Sequence, residues 1–297
     1  MRAPEWRWAL ETRFMADVVK GRLAQLGTPA RTSEAARSPV VVNSLPKSGT
    51  HLLIRLLESL PGIHRVRLQL APKALEKFEP DGQEPVVPVG VSSPVLFSRR
   101  RLLRVLSLMP SATFCTGHLL YSEPFADILA AVDMKMVLII RDPRDVVVSS
   151  AGYLADQGSH RLHPQFGTRP LEERMLQSIR GIEPRFGDRG MLGIRERMRG
   201  VLAWDSRPEV YLTRFEPLVG PAGGGSRSVQ VDEIRRIARH LGIGCSEQTL
   251  DSVASGLFGG TGTFRKGQIG AWREAFTPRL VDAAKPLLSD ILVELGY

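Results

Sequence analysis

Short, continuous apolar runs alternate along this chain with stretches in which apolar residues recur every three or four positions. Four runs predict strands: "PVVVNS" (39–44), "ATFCTG" (112–117), "KMVLII" (135–140) and "VYLTRF" (210–215). Helical periodicity appears near 50–60, 98–108, 123–132, 143–155, 170–181, 191–203, 231–241 and 278–295. Strands that are apolar throughout are buried on both faces, and helices between them cover a parallel sheet. The expected fold class is therefore α/β, with three layers and a parallel sheet flanked by helices. Three segments depart from the alternation. Residues 5–26 read as an amphipathic helix packed on the outside. Residues 61–97, Pro-rich and without a period, read as a long irregular insertion of the kind that walls or covers a ligand site. "GPAGGGS" (220–226) reads as a flexible connector before a helix opened by Asp232. No internal repeat is found.

Composition adds limits. A chain of 297 residues, 43% hydrophobic and 24% charged, suits a globular protein with a sizeable core. The longest apolar runs, such as "MVLII" (136–140), are strand-sized, so no stable membrane insertion is expected. The N-terminal segment carries acids and lacks the apolar core of a signal peptide. Two cysteines, Cys115 and Cys245, make no disulfide framework and fit reduced thiols, so the expected location is cytoplasmic. The net charge of +9 asks for an anionic partner. The basic residues are scattered among acids and only 6% of residues are aromatic, so nucleic acid is not expected and a small polyanion is.

Where would such an anion sit? In "VVVNSLPKSGTHLLIRLL" (40–57) a β-branched strand breaks into "LPKSG" and an amphipathic helix begins at about Gly49 or Thr50. A helix N-terminus offers unpaired N–H groups and partial positive charge. Gly49 lets a ligand approach the backbone, Ser48 and Thr50 add hydroxyls, and Lys47 adds a full charge. The alternative is plain capping by Ser48 or Thr50, with Lys47 in solvent. Lys47 precedes the glycine, so this is not a Walker A loop. The next buried strand ends in Arg141, at the edge where open parallel sheets bind ligands. Asp142 with Pro143 reads as an N-cap followed by proline at the first helical position. Ser149, about two turns on, reaches the same side. Arg141 could instead pair with Asp145 or Asp142. A third, Gly-rich stretch, "GTFRKGQIGAWREAF" (262–276), places Arg265 and Lys266 before Gly267.

Taken together, "PKSGT" (46–50), "RDPRDVVVS" (141–149) and "FRKGQIGAW" (264–272) resemble the sulfotransferases that use 3′-phosphoadenosine 5′-phosphosulfate (PAPS). "RFEPLV" (214–219) sits where that family has an aromatic-Glu-Asp-Leu segment. The resemblance implies a fold like the P-loop-containing nucleoside triphosphate hydrolases, with residues 1–36 as an N-terminal helical extension and 37–297 as a sulfotransferase domain. It implies PAPS as donor and PAP as product, no metal, and a small-molecule or glycan acceptor whose hydroxyl or amine receives the sulfonate. By position, Lys47, Ser48, Gly49, Thr50 and His51 would hold the 5′-phosphosulfate. Arg141, Ser149, Arg265, Lys266 and Gly267 would hold the 3′-phosphate, and Phe215 stands where the family has a tyrosine. His118, in "CTGHLLY" (115–121), would be the catalytic base and Lys47 would stabilise the leaving oxygen. His51 is the rival base, and a purely structural His118 is the other alternative. Leu52 replaces a tryptophan of many relatives, Ala271 an aspartate and Thr116 a lysine, so the adenine contacts differ more than the phosphate contacts. An ATP-dependent kinase or a non-catalytic nucleotide-binding homologue on the same fold are the competing functions. Neither a Walker A lysine nor a Mg²⁺-holding aspartate favours the kinase.

Overall fold

The computed structural model describes residues 36–75, 80, 82–184, 190–259 and 267–297. Strands β1 (Val40–Ser44), β2 (His64–Leu70), β5 (Thr113–Gly117), β6 (Lys135–Ile140) and β7 (Val210–Arg214) form one sheet in the order β2-β5-β1-β6-β7. Every neighbouring pair is parallel. β1 and β5 are buried at every position, and β6 from Met136 onward, because each is sandwiched between helical layers. On one face α1 (Thr50–Ser59), α7 (Arg227–Leu241) and α8 (Glu247–Gly256) enclose a core containing Val40, Val42, Leu53, Phe114, Ile139 and Ile237. On the other, α2 (Arg99–Leu106), α3 (Glu123–Ala131), α4 (Pro143–Asp156), α5 (Leu171–Arg180), α6 (Ile194–Leu202) and α9 (Pro278–Leu295) pack around Val41, Cys115, Leu138, Val147, Trp204 and Ile291. Successive residues of β1 thus feed opposite cores, as strand geometry requires.

From β1 the chain leaves toward β2 and β5 on one side, and later returns to β6 and β7 on the other. That reversal opens a crevice above the C-terminal ends of β1, β5 and β6, where open α/β sheets bind their ligands.

The four expected strands form where the apolar runs placed them, except that Phe215 opens a single helical turn (Phe215–Leu218) instead of ending β7. Other expectations fail. The stretch 61–97 is not irregular: it contains β2, the edge of the sheet, and an antiparallel hairpin of β3 (Val86–Val89) with β4 (Val95–Ser98). In β2, Val66, Leu68 and Leu70 face the core while Arg65, Arg67 and Gln69 are exposed, the alternation of a half-buried strand. Nor is 220–226 a flexible connector. Gly223 is buried, and its carbonyl accepts a hydrogen bond from Ile269 N–H at 3.0 Å. The following helix begins at Arg227, and Asp232 lies inside it, paired with Arg235. Helix α8 was not expected. The expected helix at 5–26 lies outside the described residues. Among the described residues, Cys115 and Cys245 form no disulfide. No helix of the described residues is long and apolar enough to cross a membrane.

Candidate active site

The turn after β1 is tight. Ser48 N–H donates to the Leu45 carbonyl at 3.1 Å, and both Lys47 (φ 74°) and Gly49 (φ 107°) take the left-handed conformation. For lysine this conformation is uncommon and costs energy, and strain of this kind gathers at functional sites. A Cβ on Gly49 would stand 2.9 Å from Phe215 Cδ2 and 3.1 Å from Ile139 Cδ1, so only glycine fits. Gly49 is also the N-cap of α1, and no side chain caps the helix. Thr50 Oγ1 lies 2.7 Å from Ser44 Oγ instead, and among the described residues the buried Ser48 Oγ has no hydrogen-bond partner. The plain-capping alternative therefore does not describe this terminus. Its donors point to an anion, for which backbone N–H groups, a hydroxyl and an ammonium are suited. Lys47 Nζ lies 4.1 Å from the centre of the Tyr153 ring, a cation–π contact that holds the side chain toward α4.

At the end of β6, Arg141 is 7% exposed. Its Nη2 donates to the Gln268 carbonyl at 2.6 Å and lies 3.3 Å from Asp145 Oδ2, and its guanidinium stacks 4.3 Å from the centre of the Phe215 ring. The alternative pairing with Asp145 is thus realised, but it leaves donors over: Nε is buried without a partner. Asp142 plays its expected part, accepting from Arg144 N–H at 2.9 Å at the head of α4 and pairing with the Arg144 guanidinium at 2.7 Å. Ser149 borders the same cavity from α4.

Two acidic residues that the sequence reading did not assign to the site organise this corner. Asp145, fully buried, accepts from Gly270 N–H and Trp272 N–H at 2.9 Å each, one carboxylate oxygen apiece. Arg144 stacks 3.9 Å from the centre of a Trp272 ring. The loop from Gly267 onward is thereby tied to α4. Its far side is held by Ile269 N–H on Gly223 and by Gln268 Nε2 on the Ala222 carbonyl at 2.9 Å. Glu216 accepts from Asp142 N–H and from the Tyr297 hydroxyl, both at 2.9 Å, and burial raises its pKa. Asp145→Asn keeps one acceptor oxygen but turns an amide N–H₂ toward donors. We expect it to lower stability by about 1–3 kcal/mol, read from urea denaturation. Only spacing hinted at Asp145, as the residue one helical turn after Arg141.

His118 follows β5. Its Nδ1 is 2.9 Å from the Ser44 carbonyl oxygen and 3.1 Å from Ser44 Oγ. A carbonyl can only accept, so Nδ1 carries the proton and Nε2 keeps its lone pair. Burial lowers the imidazole pKa below its ordinary value, opposed in part by the Ser44 hydrogen bond. The segment is held by Asn43, whose Oδ1 accepts from Leu119 N–H at 2.9 Å and whose Nδ2 donates to the Leu119 carbonyl at 3.0 Å. His51 is exposed at the start of α1, and its pKa is lowered by desolvation and then by Lys47 and Arg65.

One cavity of about 670 Å³ joins these groups: Lys47, Gly49, Thr50, His51, His118, Arg141, Ser149, Phe215 and Gly267 all line it. Ser48 is buried in the same turn, and Arg265 and Lys266 lie outside the described residues. Among the described residues, no cluster of three or more His, Cys, Asp or Glu is assembled to ligate a metal.

Residues 37–162 match the family model described as the sulfotransferase domain. No curated protein sequence matches the chain. Among solved structures, mouse sulfotransferase SULT7A1 complexed with PAP is similar, with a TM-score of 0.60 at 18% identity, over 88% of this chain and 86% of that one. Retinol dehydratase is similar in two complexes, one with androsterone and inactive cofactor PAP and one with retinol and PAP. Each gives a TM-score of 0.52 at 18% identity over 86% of this chain, and 80% and 82% of the respective partners. Identity this low speaks for the fold alone, a parallel sheet flanked by helices. The matched segment, residues 37–162, contains both the Lys47–Thr50 turn and the junction from Arg141 to Ser149.

Proposed function

We propose that residues 37–297 form one catalytic domain that transfers a sulfonate group from PAPS to a hydroxyl or amine of a small-molecule or glycan acceptor. The observation that carries this reading is a single cavity bordered by the uncapped α1 terminus, the buried Arg141 with an unused Nε, and a His118 whose Nε2 is unprotonated. Bound PAPS supplies an activated sulfonate whose transfer in line leaves PAP behind.

The turn at Lys47–Thr50 and the α1 amides bind the 5′ end of the donor, and Arg141 with Ser149 binds its 3′-phosphate. Arg265 and Lys266, next to Gly267 in the sequence and outside the described residues, are assigned to the same phosphate by the resemblance alone. Leu52, Leu257 and Phe258 line the cavity near Phe215 and form an apolar wall for the adenine, in place of an aromatic at position 52. His118 Nε2 takes the acceptor proton, and the Ser44 carbonyl steadies the imidazolium through Nδ1–H. Lys47 stabilises charge on the departing oxygen, an interaction that strengthens as the bond breaks.

The test is transfer of label from PAPS to a panel of alcohols, phenols, amines and glycans, with PAP release as readout, beside titrations of PAP and of ATP with Mg²⁺. No PAP binding, or tighter binding of ATP with Mg²⁺, refutes the reading. The pH profile has a definite sign. His118 acts while neutral and its pKa is lowered by burial, so the acid limb of kcat/KM falls below the ordinary imidazole value of 6.5. An acid limb above that value would exclude His118 in this environment as the base.

A further inference from the structure

The cavity extends beyond the groups assigned to the donor. Past His118 and His51 it runs over the edge strand β2, where Arg65, Arg67 and Gln69 line it. Val66 and Leu70 pack into the core on the α4 face, so the strand's alternation turns Arg65, Arg67 and Gln69 to the α1 face. Thr116, beside Gln69 in the β2–β5 register, lies on that face too, two residues on from Phe114 in the α1-side core.

The charges of this strip are not spent elsewhere. Among the described residues, no hydrogen bond or ion pair engages the Arg67 side chain. Arg65 meets Glu58 at 3.3 Å, but both side chains are more than two-fifths exposed, and such pairs are weak. Asp145 is the only carboxylate among the described residues that line the cavity, and it is committed to Arg141, Gly270 and Trp272. A PAPS molecule carries about four negative charges, which Lys47, Arg141, Arg265 and Lys266 match. Arg65 and Arg67, with His51 beside them, are surplus positive groups in one continuous cavity with the proposed base.

We propose that this strip is an acceptor subsite for an oxyanion, a carboxylate, sulfate or phosphate borne by the acceptor itself. The inference rests on the sulfotransferase reading of the site. Arg67 supplies a planar fork that matches such a group in a bidentate way, and Gln69 and Thr116 line the path between it and His118. Arg67 precedes Gln69, which pairs with Thr116, and His118 follows Thr116 by two residues, so the anion and the reacting hydroxyl are separated along the strand direction by on the order of 10 Å. The preferred acceptor is therefore an acidic molecule with its hydroxyl at the opposite end from its anion, not a neutral lipid or simple alcohol.

The test uses the PAP-loaded protein and two rigid probes, 4-phenylphenol and 4′-hydroxybiphenyl-4-carboxylate, which differ by the distal carboxylate. By calorimetry the carboxylate binds at least tenfold more tightly than the neutral phenol. Arg67→Ala abolishes that preference and Arg67→Lys restores part of it, while PAP keeps its wild-type Kd in both variants. Equal binding of the two probes, or binding of neither, overturns the subsite. So does a fall in PAP affinity in Arg67→Ala, which would give Arg67 to the donor. Failure of the unmodified protein to bind PAP is a different result: it removes the donor reading, and the subsite with it.

Discussion

His118→Ala is expected to lower kcat about 10²- to 10⁴-fold, the range contributed by a positioned general base, with PAP affinity unchanged. The separation of the two readouts follows from the geometry. His118 reaches the cavity from the end of β5 and bonds back to Ser44, whereas the groups proposed to bind the donor stand on the α1 terminus and at the end of β6. Losing the Nδ1–Ser44 hydrogen bond is a modest change, about 1 kcal/mol, so the variant folds. Its residual rate should also lose the acid limb of the pH profile, which a merely structural histidine would not produce. Wild-type turnover in the variant would return the role of base to His51, the other imidazole lining the cavity.

Arg141→Ala is expected to erase discrimination for the 3′-phosphate. Hydrogen bonds to charged groups contribute about 1.5–3 kcal/mol each, so losing two of them cuts the preference for PAP over AMP by about 10²- to 10⁴-fold. The guanidinium suits this role because it is held on three sides: by the Gln268 carbonyl, by Asp145 and by the Phe215 ring. Among the described residues, its Nε is buried without a partner. Truncation leaves Asp145 without its cation but still holding two backbone N–H groups, so the loop stays in place. Arg141→Lys, which keeps the charge without the fork, should recover part of the preference. Equal weakening of PAP and AMP would mean that Arg141 holds up the cavity rather than reading the phosphate.

The acceptor subsite and the donor site differ in how openly the sequence announces them. The donor groups occur in compact motifs, because a helix terminus, a strand end and a glycine-rich loop each act over a few consecutive residues. Arg65 and Arg67 carry no motif. They matter only because the alternation of β2 and the parallel pairing with β5 direct them into the cavity beside His118. Strand β2 carries no continuous apolar run because half of its residues are polar, so local patterning does not mark it.

Asp145 and Glu216 show the same limit. A carboxylate in the first turn of a helix ordinarily serves the helix dipole, and the sequence offers no sign that Asp145 instead holds the Gly270–Trp272 backbone, 125 and 127 residues away. The glycines at 220–225 look like slack chain, yet Gly223 is packed against the Gly267 carbonyl and supports the opposite side of that loop. Close approach of two backbones requires glycine just as flexibility does, and composition alone does not separate the two causes.

The sequence by itself determined the α/β class, four of the five strands of the sheet and eight of the helices, and it singled out three stretches as candidate anion sites, because these rest on local periodicity and short-range chemistry. Tertiary structure alone decided which free donors face one cavity, which tautomer His118 holds, and where the surplus arginines of β2 point. Those outcomes depend on the strand order and on hydrogen bonds between residues distant in the chain, and local patterns carry no record of them.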